Sequence, residues 1–280
     1  MLFLLGCAAD DLSQDWQVDR LRVLAVAATP AEPMPGDVVT FDALIVSPAV
    51  PLAGSAWFAC SAESSSDYGC EVDLSLLSGA DTGELDTEAL VEAGLIGLLP
   101  YLPPTWTVPA DYLDALDEQA RLEGTFAMIY ITAFPDQEEV SESDVEVTYK
   151  RVPVSLATTP NQNPVVSGFK LGGYDVPPGG VVKLARGEAF DLEYTMTDES
   201  VETYSYRNAE GVDETRTEEP YASWYLQEGS FEQTDVLWPY TTTKLHTPAE
   251  PALPTQTVWV VVRDRRGGMA WASLTVDYGD

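Results

Sequence analysis

The chain is poor in cysteine, histidine and basic residues, and each shortage excludes a class of function. Its 280 residues include three cysteines, one histidine and 14 lysines and arginines against 46 acids, for a formal net charge of −32. Such a surface repels phosphate backbones and anionic lipids, so we expect neither nucleic-acid binding nor electrostatic attachment to a membrane. Zinc needs four ligands, and with His246 as the single histidine we expect no zinc site.

Motifs of common active sites and membrane helices are also missing. No Gly-x-Ser-x-Gly turn is present for a serine hydrolase. No apolar run reaches the roughly 18 residues that a membrane-spanning helix needs. Carboxylates will pair by chance in a chain with 46 acids, so counting them identifies no glycosidase site.

What is present is typical of an all-β protein with two domains. Short runs rich in Val, Thr, Tyr, Trp and Phe alternate with proline and glycine, 20 of each. The polar, turn-forming segment 157–164 divides the chain, so we predict one β-sandwich over residues 18–157 and a second, with its own core, over 158–280. Gly36 and Gly187 each precede an acid and a Phe-Asp-apolar strand, which indicates a tandem duplication.

A helical insertion is expected near residues 86–124, where the β pattern breaks. Pro109 and Gly124 are typical of the start and end of a helix, with Thr107 as a cap. In that helix, one face would carry Tyr112, Leu113, Leu116 and Ala120. Strand patterns resume after the insertion, at 126–134.

The first residues resemble a bacterial lipoprotein signal. Leu4-Leu5-Gly6-Cys7 is similar to a lipobox, in which the cysteine thiol takes a diacylglycerol and the signal peptidase cuts just before it. The resemblance implies a lipid on Cys7, a truncated signal over residues 1–7 and a tether over 8–17. Because the apolar stretch before Gly6 is short and nothing basic precedes it, we expect the true start to lie upstream.

Residues 257–278 form an expected hairpin with a turn at Gly267-Gly268. This hairpin resembles the last two strands of immunoglobulin-like and fibronectin-III-like modules of bacterial surface proteins. The resemblance implies two tandem Ig-like β-sandwiches, the first with the helical insertion. With the lipobox, it implies a protein of the bacterial cell envelope, an outer-membrane lipoprotein that faces the periplasm or the exterior.

Cysteine spacing and carboxylate clusters give the remaining site predictions. Cys60 and Cys70 are ten residues apart, and a disulfide between them suits an oxidising compartment and would contribute about 2.5–3 kcal/mol. We expect no cofactor. The alternative is a calcium ion, because the hard oxygen ligands that calcium prefers cluster at Asp81, Glu84 and Asp86. A second acidic cluster comprises Asp136, Glu138 and Glu139.

Aromatic residues and one acidic segment are the candidate recognition elements. Most aromatic residues are expected in the sandwich cores. Residues 199–220 are interpreted as a long solvated loop between strands, and secondarily as a recognition loop. The aromatic residues that could instead form a platform for glycans are Trp106, Trp224, Tyr225, Trp238 and Tyr240.

Three functional hypotheses follow, in decreasing order of support. The first is a non-enzymatic, lipid-anchored envelope protein that binds another envelope or surface protein or acts as a spacer. The second is a carbohydrate-binding surface module. The third is an enzyme with an unrecognised carboxylate site.

Overall fold

Strands dominate the chain and form two β-sandwiches that follow each other along the sequence. The computed structural model describes residues 14–60, 65–66, 69–70, 87–138, 140–207 and 211–279. Each sandwich has an apolar core of its own, which contains Trp57 in the first and Trp224 in the second. The prediction of an all-β protein with two tandem Ig-like sandwiches is therefore confirmed.

The first sandwich, here called unit one, packs a three-stranded sheet against a four-stranded sheet. Its strands are β1 (Arg22–Thr29), β2 (Val38–Val46), β3 (Leu52–Ala59), β4 (Ser65–Ser66), β5 (Gly69–Cys70), β6 (Leu95–Leu99), β7 (Thr105–Thr107), β8 (Thr125–Pro135) and β9 (Glu146–Val154). The sheet orders are β1-β2-β7 and β6-β3-β8-β9, while β4 and β5 pair only with each other. Alternate residues of β8, such as Ile129 and Ile131, are buried in the core, as the period of two requires.

Unit two repeats this plan with more strands. They are β10 (Val166–Leu171), β11 (Tyr174–Val176), β12 (Val181–Lys183), β13 (Ala189–Met196), β14 (Thr203–Arg207), β15 (Asp213–Thr217), β16 (Tyr221–Leu226), β17 (Ser230–Phe231), β18 (Asp235–Leu237), β19 (Thr242–His246), β20 (Thr255–Arg263) and β21 (Met269–Asp277). The sheet orders are β11-β10-β13-β19-β17 and β12-β21-β20-β16-β18, and β14 and β15 form a separate hairpin. Only the β12–β21 pair among these strands is parallel.

The two units share one topology. The trio β1, β2, β7 corresponds to β10, β13, β19, and the quartet β6, β3, β8, β9 corresponds to β18, β16, β20, β21. Gly36 and Gly187, both at positive φ, occupy the same place before the second strand of each trio. Their N–H groups donate to the carbonyls of Val108 and Pro248, just past the third strand of each trio. The turn chemistry that indicated a duplication is thus structurally equivalent in both units.

The segment 86–124 is not the helical insertion that its pattern predicts. Only α1 (Thr87–Glu92) and α2 (Glu118–Glu123) are helical, and β6 and β7 between them belong to the two sheets of unit one. Turns occupy residues 110–115, where Leu113 is buried in the core, and the helix begins after Asp117, whose carboxylate caps the Ala120 N–H. Core burial has overridden a helical periodicity too short to nucleate a long helix. Gly124 ends α2, as predicted.

An apolar interface joins the two units side by side. Leu24 and Ala25 of β1 pack with Trp259 and Val261 of β20, and all four are buried. The residues packed around them are Val18, Leu44, Val46, Tyr225, Met269 and Trp271. The outer face of the β1-β2-β7 sheet therefore lies on the outer face of the sheet that contains β16, β20 and β21.

The described end of the predicted tether, residues 14–17, and the predicted boundary segment belong to this packed body. Trp16, assigned to the tether, packs on the core of unit two, with its ring 6.3 Å from that of Phe231. Val18 donates its N–H to the carbonyl of Leu226, and Leu226 donates to that of Trp16. Asn161, in the polar boundary segment, is fully buried. Long-range pairing, which local composition does not reveal, orders both segments.

Helix α1 covers the outer face of the four-stranded sheet in unit one. Leu90 of α1 is fully buried against Ala56 and Phe58 of β3, with Tyr130 and Phe134 of β8 alongside.

Within the described ranges, no helix has both the length and the apolar character needed to cross a bilayer.

Candidate functional site

A buried charge network lies where the two units meet. Arg266, in the turn between β20 and β21, contacts three carboxylates: Glu32 of unit one at 3.3 Å, Glu202 at 3.4 Å and Glu218 at 3.1 Å. The ring of Tyr204 lies 4.2 Å below the guanidinium. One arginine thereby holds the β1–β2 connection and both ends of the β14–β15 hairpin together.

Burial sets the electrostatics of this network. Glu218 is almost entirely buried, which raises the pKa of its carboxyl; the Asp264 charge adds to this rise, while the Glu202 N–H and Arg266 oppose it. Three carboxylates contact one guanidinium, so each of these negative charges depends on the positive charge of Arg266. Breaking such a buried pair costs far more than breaking a surface pair, because an uncompensated charge stays inside.

Asp264 organises the turn that carries Arg266. One of its carboxylate oxygens accepts the N–H groups of Arg266, Gly267 and Gly268 at 2.7–2.9 Å, and the other accepts the Asn161 amide at 2.8 Å. A Cβ at Gly268 would lie 1.9 Å from that second oxygen, so glycine is required there. The turn and the connecting segment between the units are thus one hydrogen-bonded assembly.

Lys150 of unit one also reaches this turn. Its ammonium donates to the carbonyl of Gly267. Burial lowers the pKa of Lys150 to about 8, and Arg263 adds to the effect while Asp264 opposes it. This hydrogen bond joins β9 of unit one to unit two, and burial removes water from around the Lys150 charge.

The β14–β15 hairpin projects from this junction and is braced on both sides. Arg207 pairs with Asp213 across the hairpin at 2.8 Å and donates to Gln119 of α2 in unit one at 2.9 Å. Arg216 stacks over the Tyr206 ring at 3.8 Å. In the described part of the segment interpreted as a solvated loop, β14 and β15 therefore pair as a hairpin that touches both units.

A second exposed element lies beside the base of the hairpin. Trp238 donates its N–H to the carbonyl of Pro220, and Leu237 pairs with Tyr221. Tyr240 is 80% exposed. We call the surface formed by residues 203–207 and 211–217 and the turn Leu237–Tyr240 the junction face. Its exposed large apolar side chains are Tyr206, Val212, Leu237, Trp238 and Tyr240.

The opposite end of unit one has a shallow cleft of about 220 Å³. It lies between residues 19–21, the β2–β3 turn and the β8–β9 turn, with Asp144 and Glu146 among its lining residues. Bonds from Ser141 lower the pKa of the Asp144 carboxyl, which keeps it ionised rather than poised as an acid. Across the described ranges, no three His, Cys, Asp or Glu side chains are grouped as metal ligands would be.

The structure does not assemble the predicted glycan platform. Trp224 is fully buried in the core of unit two, and Tyr225, the next residue along β16, points to the interface between the units. Trp106 is half-buried in unit one, where it packs edge-on against Tyr112. Only Trp238 and Tyr240 of the five candidates are exposed, and they belong to the junction face.

Other predicted sites fall partly outside the described residues. Cys7, Asp81, Glu84 and Asp86 lie outside them, as does the side chain of Cys70. The Cys60 N–H donates to Met128 of β8, and β5, which ends at Cys70, also contacts β8. The disulfide stays a prediction. His246 is exposed on β19.

Sequence reasoning missed the Arg266 network. Its one local signal is the concentration of Arg263, Arg265 and Arg266 within four residues, in a chain with only 14 basic side chains. The partner carboxylates are between 48 and 234 positions away, so no local pattern connects them.

The amino-acid sequence matches no family model and no curated protein. Solved structures similar to the chain include tandem immunoglobulin-type proteins at low identity. The two tandem V-type regions of VCBP3, a v-region-containing chitin binding protein, are 13% identical, with a TM-score of 0.32 over 91% of this chain and all of that one. The Ig1-2 module of Drosophila receptor protein tyrosine phosphatase DLAR is 8% identical, with a TM-score of 0.27 over 93% of this chain and all of that one. Because these TM-scores are low, the fold is assigned from the strand order of the two sandwiches and not from these similarities.

Proposed function

We propose that this chain is a non-enzymatic, lipid-anchored envelope protein whose paired sandwiches present a protein-binding surface. The observation that supports this most is the junction. An apolar interface and the Arg266 network hold the two units as one body, and that body supports an exposed hairpin and an aromatic turn. A preorganised surface of this kind binds with less loss of entropy than a mobile loop.

The side-by-side packing argues against the spacer alternative. A spacer gains reach when its domains follow each other end to end. Here β1 of unit one lies along β20 and β21 of unit two, held by Leu24, Trp259 and Met269. Packing through the faces of the sheets gives less reach than an end-to-end arrangement of the same two sandwiches.

Binding fits the described side chains better than catalysis does. In the cleft, hydrogen bonds from Ser141 lower the pKa of Asp144, and Glu218, whose pKa is raised by burial, is enclosed with Arg266. General acid–base work needs a titratable group that reaches substrate. The shifted groups near the junction serve to hold the two units together.

Lipid attachment at Cys7 tests the anchoring half of the proposal. A version with the full upstream signal and Cys7→Ser lacks the thiol that accepts the lipid, whereas Ala9→Ser is a matched control that keeps it. We expect wild-type and control protein to take up a labelled fatty acid and fractionate with membranes, and the Cys7→Ser protein to take up none. Soluble, unlabelled wild-type protein would refute the anchor.

A further inference from the structure

We propose that the junction face is the docking surface for a basic protein. This inference rests on the proposed function and names the surface and the chemistry of the partner. It follows from two features: the exposed aromatic residues and the charge around them.

Exposed aromatic side chains give the junction face an apolar centre. Tyr240 and Trp238 follow each other across one proline, and Tyr206 and Val212 stand on the adjacent hairpin. Tyrosine and tryptophan dominate binding energy in protein interfaces, because they bury large areas with few rotatable bonds. The Leu237–Tyr240 turn thus provides the anchors that a protein partner would cover.

The supports of this face are already ordered. Arg265 lies 5.8 Å from the Tyr221 ring and 3.8 Å from Glu219, while Arg207 ties the hairpin to α2. The contacts of Arg265 and those of Arg207 each join segments that are far apart in the sequence. The anchors are therefore held in place before a partner arrives, which reduces the entropic cost of association.

Charge identifies the partner as basic. Residues 198–220 carry eight acids and two arginines, and of the acids that the structure describes there, only Glu202 and Glu218 pair with Arg266; residues 111–123, around α2, carry five acids and one arginine. The arginines of the hairpin are neutralised by Asp213 and Glu214. An apolar centre with a strongly acidic rim is complementary to a protein with a basic rim and repels acidic partners.

Photo-crosslinking in the native cells locates the docking surface. The lipidated, full-length protein would carry a photoreactive phenylalanine at Tyr240, at Tyr174 or at Ala49. Tyr174 is the matched control, because it is equally exposed but lies at the start of β11, and Ala49 lines the cleft of unit one. We expect one discrete protein adduct from position 240 and none from the other two positions.

The adduct supports the proposal only if the purified partner behaves as the charge predicts. We expect Tyr240→Ala to weaken binding at least about tenfold. Glu199→Lys should slow association about tenfold at low salt, and Glu250→Lys, between β19 and β20, should leave it unchanged. Raising the salt concentration should remove the difference between the two charge variants.

The alternative outcomes separate this surface from the proposed function. An adduct at position 49 alone would keep the binding function and overturn the junction face as its site. A glycan adduct at position 240, or a protein adduct whose affinity is independent of salt, would overturn the basic protein partner. Absence of any adduct at all three positions would overturn both the surface and the function.

Discussion

The guanidinium of Arg266 lies 3.1 Å from the carboxylate of Glu218, and this pair connects the β20–β21 turn to the end of β15. Glu218 is 1% exposed and Arg266 is 17% exposed, so water contributes little to solvating either charge. The same arginine reaches Glu32 of unit one, which makes it a direct link between the sandwiches.

Removing Arg266 should destabilise the whole molecule. Arg266→Met keeps an apolar stem but leaves Glu32, Glu202 and Glu218 without their cation, so we expect a loss of about 3–5 kcal/mol in the free energy of unfolding. Urea denaturation measures it. Arg151→Met, at an exposed position of β9, is the control and should change stability by less than about 0.5 kcal/mol. Equal stability of both variants would show that the network contributes nothing.

Stability should rise between pH 8 and pH 9.5 because of Lys150. Its folded pKa is about 8 against an ordinary 10.5, so in this window the unfolded chain binds a proton that the folded protein does not. The free energy of unfolding should then increase by about 1–2 kcal/mol across the window. Below pH 8 both states are protonated, and this dependence disappears.

Lys150→Met is the variant that isolates the effect, and its stability should be nearly flat over the same window. Above pH 10 the trend reverses, because burial raises the pKa values of Tyr194 and Tyr278 to about 12 and the unfolded tyrosines ionise first. A rise of the same size in wild type and Lys150→Met would assign it to another group.

The fragment 158–280 should fold but associate with itself. The core of unit two lies within it, apart from Trp16, so we expect a cooperative urea transition. Trp259 and Val261, buried in the full chain, become exposed and should drive self-association in light scattering. Val261→Lys in the fragment should restore a monomer. A broad, non-cooperative transition would place the domain boundary elsewhere.

A Cys60–Cys70 disulfide should be found by mass spectrometry of peptides from the non-reduced protein. Cys60 follows β3 and Cys70 ends β5, and both segments approach β8. Reduction should lower stability by about 2.5–3 kcal/mol through the freed loop. The double variant Cys60→Ser, Cys70→Ser should show the same loss without reductant. Two free thiols in oxidised, folded protein would remove this prediction.

Strand alternation and turn glycines made much of the fold readable from the sequence. The strand predicted at 126–134 appears as β8 with one further residue at each end, and the hairpin expected over 257–278 appears as β20 and β21. These segments are long, alternate in polarity and end at glycine or proline, so local signals and core burial agree. Trp224 and Tyr225 could also have been separated, since neighbours on a strand point to opposite faces.

What the sequence did not reveal depends on contacts between distant residues. Residues 157–164 look like a solvated linker, yet Asn161 bonds to Asp264 and Asn163 to Ala28 and Met269. Trp16 looks like part of a tether, yet it packs on unit two. In each case a polar or isolated residue finds its partner across the junction, and no local periodicity encodes such a partner.

The interface between the two sandwiches joins unlike faces. A contact between two different faces can repeat from copy to copy, as in a filament, unless each remaining face is blocked. In unit one, the face that corresponds to the β16–β20 side of the interface is covered by α1 through Leu90, Ala56 and Phe58. In unit two, the outer face of β13 and β19 presents Asp191 and Lys244 to water. The described residues therefore block head-to-tail association of separate copies through these two faces.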